Sequence, residues 1–145
     1  MTLKVLAVGS GGGHWTQLMR LLPALEQHDT ALVSTMDQGV KGRFYRVLDA
    51  NQREKWAMLK MMAQILLVVL RERPHVVIST GAAPGYMALR FGRLFGARTI
   101  WVDSFANVDQ LSMAGRLAGP HADLWLTQWA HLAKPGGPEF IGAVL

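Results

Sequence analysis

The sequence predicts an α/β protein built on a Rossmann-like parallel sheet with helices on both faces, and three observations support this. Apolar runs of strand length alternate with segments whose apolar residues recur at helical spacing, the pattern of a parallel sheet with crossover helices. The strand runs are nearly continuous in apolar character, as strands covered on both faces require. The loops after the first, third and fourth of these runs are made of small or polar residues. In an open parallel sheet such loops converge on one cleft at the carboxyl ends of the strands.

The first strand, residues 3–8, ends in Gly9-Ser10-Gly11-Gly12-Gly13-His14, and Trp15-Thr16-Gln17-Leu18 then opens a helix. Strand, glycine turn and helix start in that order suit an anion. The first N–H groups of a helix lack intrahelical partners, the helix dipole favours negative charge there, and glycine allows close approach. Read as G-x-G-x-x-G from Gly9, the loop has His14 at the last glycine position, and no Gly-Lys-Ser/Thr of a P-loop follows. The loop therefore indicates an anion near a helix start, but neither NAD nor ATP. The alternative is a tight turn with no ligand. His14 is a titratable imidazole at a helix N-terminus, where the neutral form is favoured.

Residues 30–35 read as the second strand. Asp37 beyond it is a turn aspartate before Gly39 in the preferred reading, and a ribose ligand in the other. Lys41-Gly42-Arg43-Phe44-Tyr45-Arg46 is basic and aromatic: a solvated loop first, a contact for nucleic acid or lipid headgroups second. Residues 51–73 form a long helix with Arg53, Lys60, Gln64 and Arg71 on one narrow stripe. So narrow a stripe predicts a crossover helix clamped between sheet and neighbour. The alternative is contact with a partner or membrane, helped by the adaptable Met58, Met61 and Met62.

A third strand, residues 74–79, leads into the small-residue loop Thr80-Gly81-Ala82-Ala83-Pro84-Gly85 and a helix over residues 86–95 that Gly96 closes. Residues 99–102 make a fourth strand with Asp103 and Ser104 at its end. Ser112 to Leu117 is a short helix, residues 123–127 are the last strand, and Lys134-Pro135-Gly136-Gly137-Pro138 looks like an exit from the compact domain.

At 145 residues the chain is expected to be one domain, residues 1–145. A net charge of +5 suggests an anionic partner: nucleic acid, a phosphorylated substrate or a lipid surface. Scattered basic residues, and tryptophans set in apolar runs, argue against nucleic acid. The absence of cysteine excludes thiol catalysis, thiolate metal sites and disulfides. With no carboxylate cluster either, no metal and no cofactor is expected. No signal peptide is expected, and no apolar stretch reaches the ~20 residues of a membrane span.

Several motifs occur in a recognisable order. After Gly9 to His14 come Ser79-Thr80-Gly81, then Asp103-Ser104-Phe105-Ala106-Asn107-Val108, then Leu111-Ser112-Met113-Ala114-Gly115-Arg116-Leu117. Ala122-Asp123-Leu124-Trp125-Leu126-Thr127-Gln128-Trp129 and Phe140-Ile141-Gly142 complete the series. In this the chain resembles the acceptor-side, membrane-recruiting subunits of two-chain UDP-sugar transferases. These include the anchor subunit of the dolichol-pathway N-acetylglucosaminyltransferase and bacterial exopolysaccharide proteins of the PssD type.

The resemblance implies the N-terminal half of a GT-B glycosyltransferase, whose donor half is a separate catalytic chain. It implies a polyprenyl-diphosphate-linked sugar as acceptor and a cytoplasmic, peripheral position on the inner face of a membrane. It implies that Ser10, Gly11, Gly12, Gly13, His14, Thr80, Gly81, Asp103, Ser104, Asn107 and Ser112 bind substrate. Asp103 stands where the family usually has glutamate, and Asn107 where arginine is frequent. His14 is either a general base for the attacking sugar hydroxyl, a phosphate ligand or a cap for the turn. The rival reading is a stand-alone Rossmann-type nucleotide-binding enzyme.

Overall fold

The structure, a computed structural model, describes residues 2–51 and 53–144; Met1, Gln52 and Leu145 lie outside the described residues. Its strands are β1 (Lys4–Gly9), β2 (Asp29–Ser34), β3 (Phe44–Arg46), β4 (Val76–Gly81), β5 (Arg98–Val102) and β6 (Leu124–Leu126). They form one six-stranded sheet in the order β3-β2-β1-β4-β5-β6, every pair parallel. The expected Rossmann-like sheet is present, and its order reverses direction between β1 and β4.

Side chains alternate across each strand, so β1 divides its residues between two cores. Leu6 and Val8 join Val33, Val77 and Trp101 beneath the helices α2 (Lys55–Glu72) and α3 (Ala82–Leu94), with α4 (Met113–Ala118) beside them. Val5 and Ala7 join Leu32, Ile78 and Val102 on the other face, under Leu18 of α1 (Gly13–Leu21).

The helix α2 departs from expectation. Met61, Ile65, Val68 and Val69 face the sheet, but the opposite side is not covered: Trp56 is 85% exposed and Leu67 66%, with Leu59 and Leu70 also exposed. The helix therefore carries two apolar stripes, and only one is packed. Lys60 and Arg71 border the outer one, and both are exposed. Arg73 ends the helix in the left-handed conformation, φ 47°, its N–H bonded to the Val69 carbonyl, and Pro74 follows.

Three further segments differ from the sequence reading. The basic segment 41–46 is not wholly loop: Phe44, Tyr45 and Arg46 pair with Leu32, Val33 and Ser34 as an edge strand, and Trp15 packs edge-on against Phe44. Arg43 is held by ion pairs to Asp29 and Glu72. The helix expected from residue 86 begins at Ala82, because proline is tolerated in a first turn where no N–H is needed. Residues 134–138 are a turn, not an exit. The Glu139 N–H donates to the Trp125 carbonyl at 2.8 Å, and its own carbonyl accepts from Thr127 N–H at 2.9 Å.

The two faces of α2 separate by stability. Ile65→Ala, buried, should lower the unfolding free energy by about 2–5 kcal/mol, whereas Leu67→Ala should stay within about 0.5 kcal/mol, both read by chemical denaturation.

Candidate functional site

The site forms where the strand order reverses, because the loops after β1 and β4 must pass side by side there. Pairing runs Val8 to Ser79 and then Gly9 to Gly81, so Thr80 is an extra residue bulged out of the ladder. A bulge re-aims the side chain it carries. The Thr80 hydroxyl donates to the His14 carbonyl at 2.6 Å, and His14 Nδ1 donates to the Thr80 carbonyl at 3.1 Å. The two loops are thus clasped reciprocally.

The clasp demands glycine on both sides. A Cβ on Gly9 would lie 2.9 Å from Thr80 Oγ1 and 3.1 Å from the His14 carbonyl oxygen. One on Gly81 would lie 2.3 Å from His14 Nδ1, and the Gly81 φ of 146° is itself a glycine conformation. Ala82, next in the chain, is held at φ 71°, a strained value for a residue with a Cβ.

A carbonyl oxygen only accepts, so Nδ1 of His14 must carry the hydrogen. In the neutral ring Nε2 is then the bare acceptor. The clasp fixes a tautomer suited to taking a proton.

Backbone donors surround this imidazole. The helix α1 starts at Gly13 and α3 at Ala82, neither with a side-chain cap, so first-turn N–H groups of both are open to an anion. Gly12, at φ 80°, and Gly13 face open space. Two other amides are committed: Gly11 N–H to Thr35 Oγ1 at 3.0 Å, and Gly81 N–H to Ser79 Oγ at 3.1 Å. Ser10 is buried at the end of β1. No lysine or arginine occurs within residues 9–14, 79–83 or 103–107. Asp37 accepts from Gly39 N–H at 3.0 Å, which is the turn reading of that residue.

Asp103 and Ser112 form a second cluster. The Asp103 carboxylate, 1% exposed, accepts from Trp101 Nε1 at 3.0 Å, from Ser112 Oγ at 2.6 Å and from Ser112 N–H at 3.0 Å. Ser112 Oγ in turn accepts from Gly115 N–H at 2.9 Å, capping α4. Ser104 Oγ accepts from the buried Gln17 amide at 3.2 Å and from Ala106 N–H at 3.1 Å. Asn107 is half-buried, its N–H bonded to the Ser104 carbonyl at 3.1 Å.

Two glutamines join these clusters. Gln128 Nε2 donates to Gln17 Oε1 and to the Asp103 carbonyl at 2.9 Å, and Gln128 Oε1 accepts from Val144 N–H at 2.7 Å. The network ties α1, the end of β5 and the C-terminal segment together. Gln17 and Thr35 were not picked out from sequence; a lone amide on the buried face of α1 was the available signal for the first.

The family described as "Oligosaccharide biosynthesis protein Alg14 like" matches residues 47–144. The chain belongs to this Alg14-like family. The UDP-N-acetylglucosamine transferase subunit alg14 of Schizosaccharomyces pombe is 26% identical over 175 aligned residues, covering 97% of this chain and 82% of the relative. That of Yarrowia lipolytica is 37% identical over 73 residues, covering 46% of this chain and 34% of the relative.

Among solved structures, MurG of Acinetobacter baumannii superposes with a TM-score of 0.77 at 12% identity, over 95% of this chain. UDP-GlcNAc 2-epimerase of Neisseria meningitidis does so at 0.64 and 11%, over 87%. This Alg14-like chain spans only 45% of the first structure and 40% of the second. Its fold is accordingly the Rossmann-like half of a GT-B architecture.

Asp103→Ala would leave the Trp101 and Ser112 donors buried without an acceptor, and should cost about 3 kcal/mol of stability by chemical denaturation. Unchanged stability would assign that carboxylate to ligand rather than to α4.

Proposed function

We propose that this chain is the acceptor-binding, partner-recruiting subunit of a UDP-sugar glycosyltransferase. It would extend a polyprenyl-diphosphate-linked saccharide in polysaccharide or oligosaccharide biosynthesis. Membership of the Alg14-like family supports the class. The observation that carries the mechanism is the clasped His14, its Nε2 bare, between two uncapped helix starts.

The acceptor diphosphate lies against the N–H groups at the starts of α1 and α3, where dipoles and open donors favour an anion. Held there, the terminal sugar presents a hydroxyl to His14. Its oxygen attacks the anomeric carbon of the donor, the proton passes to Nε2, and the bond from that carbon to the diphosphate breaks to release UDP. The donor is bound by a second, catalytic chain, the missing half of the two-domain architecture. The exposed Phe140 and Ile141, held at the sheet edge by the turn before them, suit its docking.

No described helix is long and apolar enough to cross a membrane. Contact at the inner, cytoplasmic face is instead assigned to the outer stripe of α2, apolar with basic neighbours, which is the character of a helix lying in a membrane interface. Of the basic residues in segment 41–46, Arg46 is exposed and Arg43 is occupied by the carboxylates of Asp29 and Glu72.

Two outcomes test the reading. The chain alone should not transfer sugar to a polyprenyl-diphosphate-sugar but should do so with its catalytic partner, and His14→Ala in that complex should lower kcat about 10²–10⁴-fold. Full activity without a partner, or an unchanged kcat, would refute it. Leu59→Asp with Leu67→Asp should abolish flotation with lipid vesicles while leaving the fold intact by circular dichroism.

A further inference from the structure

We propose that Arg90, Arg93 and His121 form a phosphate site for the headgroup of an anionic phospholipid, whose acyl chains enter the methionine-lined groove between α2, α3 and α4. The three side chains line one cavity of about 560 Å³. Arg90 meets no carboxylate among the described residues. Its Nη1 donates to Tyr86 Oη at 2.7 Å, and its guanidinium sits 5.8 Å from that ring's centroid. Those contacts orient the cation without neutralising it.

Arg93 is shared. It lies 3.5 Å from Asp123 and donates to the His121 carbonyl at 3.1 Å, fixing the turn that presents the imidazole. Two guanidiniums face one carboxylate, so the pocket is electropositive. Burial, then the charges of Arg90 and Arg93, hold His121 below the ordinary histidine range. A bound phosphate would offset that repulsion and draw a proton onto the ring.

The occupant follows from what adjoins the cations. Met62, Tyr86 and Met87 line this cavity and also an apolar one of about 380 Å³, which continues over Met58 and Leu117. Thioether walls adapt to a chain of methylenes of no fixed shape. Inorganic phosphate would use the cationic end alone; a phospholipid matches both. The inference rests on the membrane contact proposed above, since Met58 and Met62 belong to the helix whose outer stripe meets the bilayer.

The test uses the full chain and dihexanoyl-phosphatidylglycerol, a short-chain lipid kept below its micelle concentration, with the His121 ring followed by NMR. Saturable binding with protonation of His121 is expected, weaker for dihexanoyl-phosphatidylcholine and for inorganic phosphate. Arg90→Gln should weaken it about fivefold, as loss of one basic contact to anionic lipid predicts. His121→Gln is the second variant and should remove the proton uptake while keeping part of the affinity. Equal binding of the two lipids, or no effect of Arg90→Gln, would overturn the proposal. Phosphate binding as tightly as the lipid would overturn it as well, in favour of a soluble anion. No vesicle is involved, so such a failure stays distinct from loss of flotation in the α2 variants.

Discussion

Where the strand order reverses, two backbones must pass within contact distance, and that closeness governs the rest of the site. Gly9 and Gly81 are register partners there, and neither position has room for a Cβ. The space a side chain would occupy is taken by the His14 ring and the Thr80 hydroxyl, which clasp the loops by two hydrogen bonds. One constraint thus sets the tautomer of the imidazole and brings the starts of α1 and α3 together. It also concentrates strain at Ala82, a residue held in place because both sides of the clasp determine it.

Around this centre the candidate residues divide into two kinds. Gly12, Gly13 and His14 face the opening. Asp103 and Ser112 face inward, each satisfied by partners that brace α4 against β5. The Asp103 carboxylate reaches a tryptophan N–H, a hydroxyl and an amide at once, so its short side chain already meets every donor around it. Gln17 and Gln128 transmit this bracing to α1, whose first turn belongs to the proposed anion site. Polar residues buried in such a network must all be satisfied for it to stabilise, which makes it a rigid mount.

Much of this was legible in the residues alone. Strand-length apolar runs gave β1, β2, β4, β5 and β6, and the glycine loop marked the turn from β1 into α1 at the carboxyl end of the sheet. The failed dinucleotide fingerprint at His14 was informative too, since that residue does the clasping. What could not be read was pairing across the chain. The bulge at Thr80 depends on a register between strands that lie 71 positions apart at Lys4 and His75, where the His75 ring accepts from the Lys4 N–H. Periodicity also misjudged α2, because a stripe of Trp56, Leu59 and Leu67 looks the same whether protein or another phase covers it. The short edge strand at Phe44 was hidden by its basic flanks, as charge is what keeps an edge from pairing further.

The charge of the molecule lies away from the loops that converge at the carboxyl ends of its strands. A net charge of +5 sits on a chain whose loops after β1, β4 and β5 hold neither lysine nor arginine. Backbone dipoles are neutral, short in range and fixed in direction, so they select an anion by shape and position. Guanidiniums act over the Debye length, about 8 Å at physiological salt, and attract negative surfaces with little regard to geometry. On the proposed reading this divides the labour. Arg46, Lys60, Arg71 and the pair at Arg90 and Arg93 hold the chain at an anionic interface, where its acceptor is anchored. The clasped loops then choose the diphosphate. Placing arginine in the cleft would tighten the hold on substrate and on diphosphate-linked product alike, and uniform binding of that kind does not accelerate transfer.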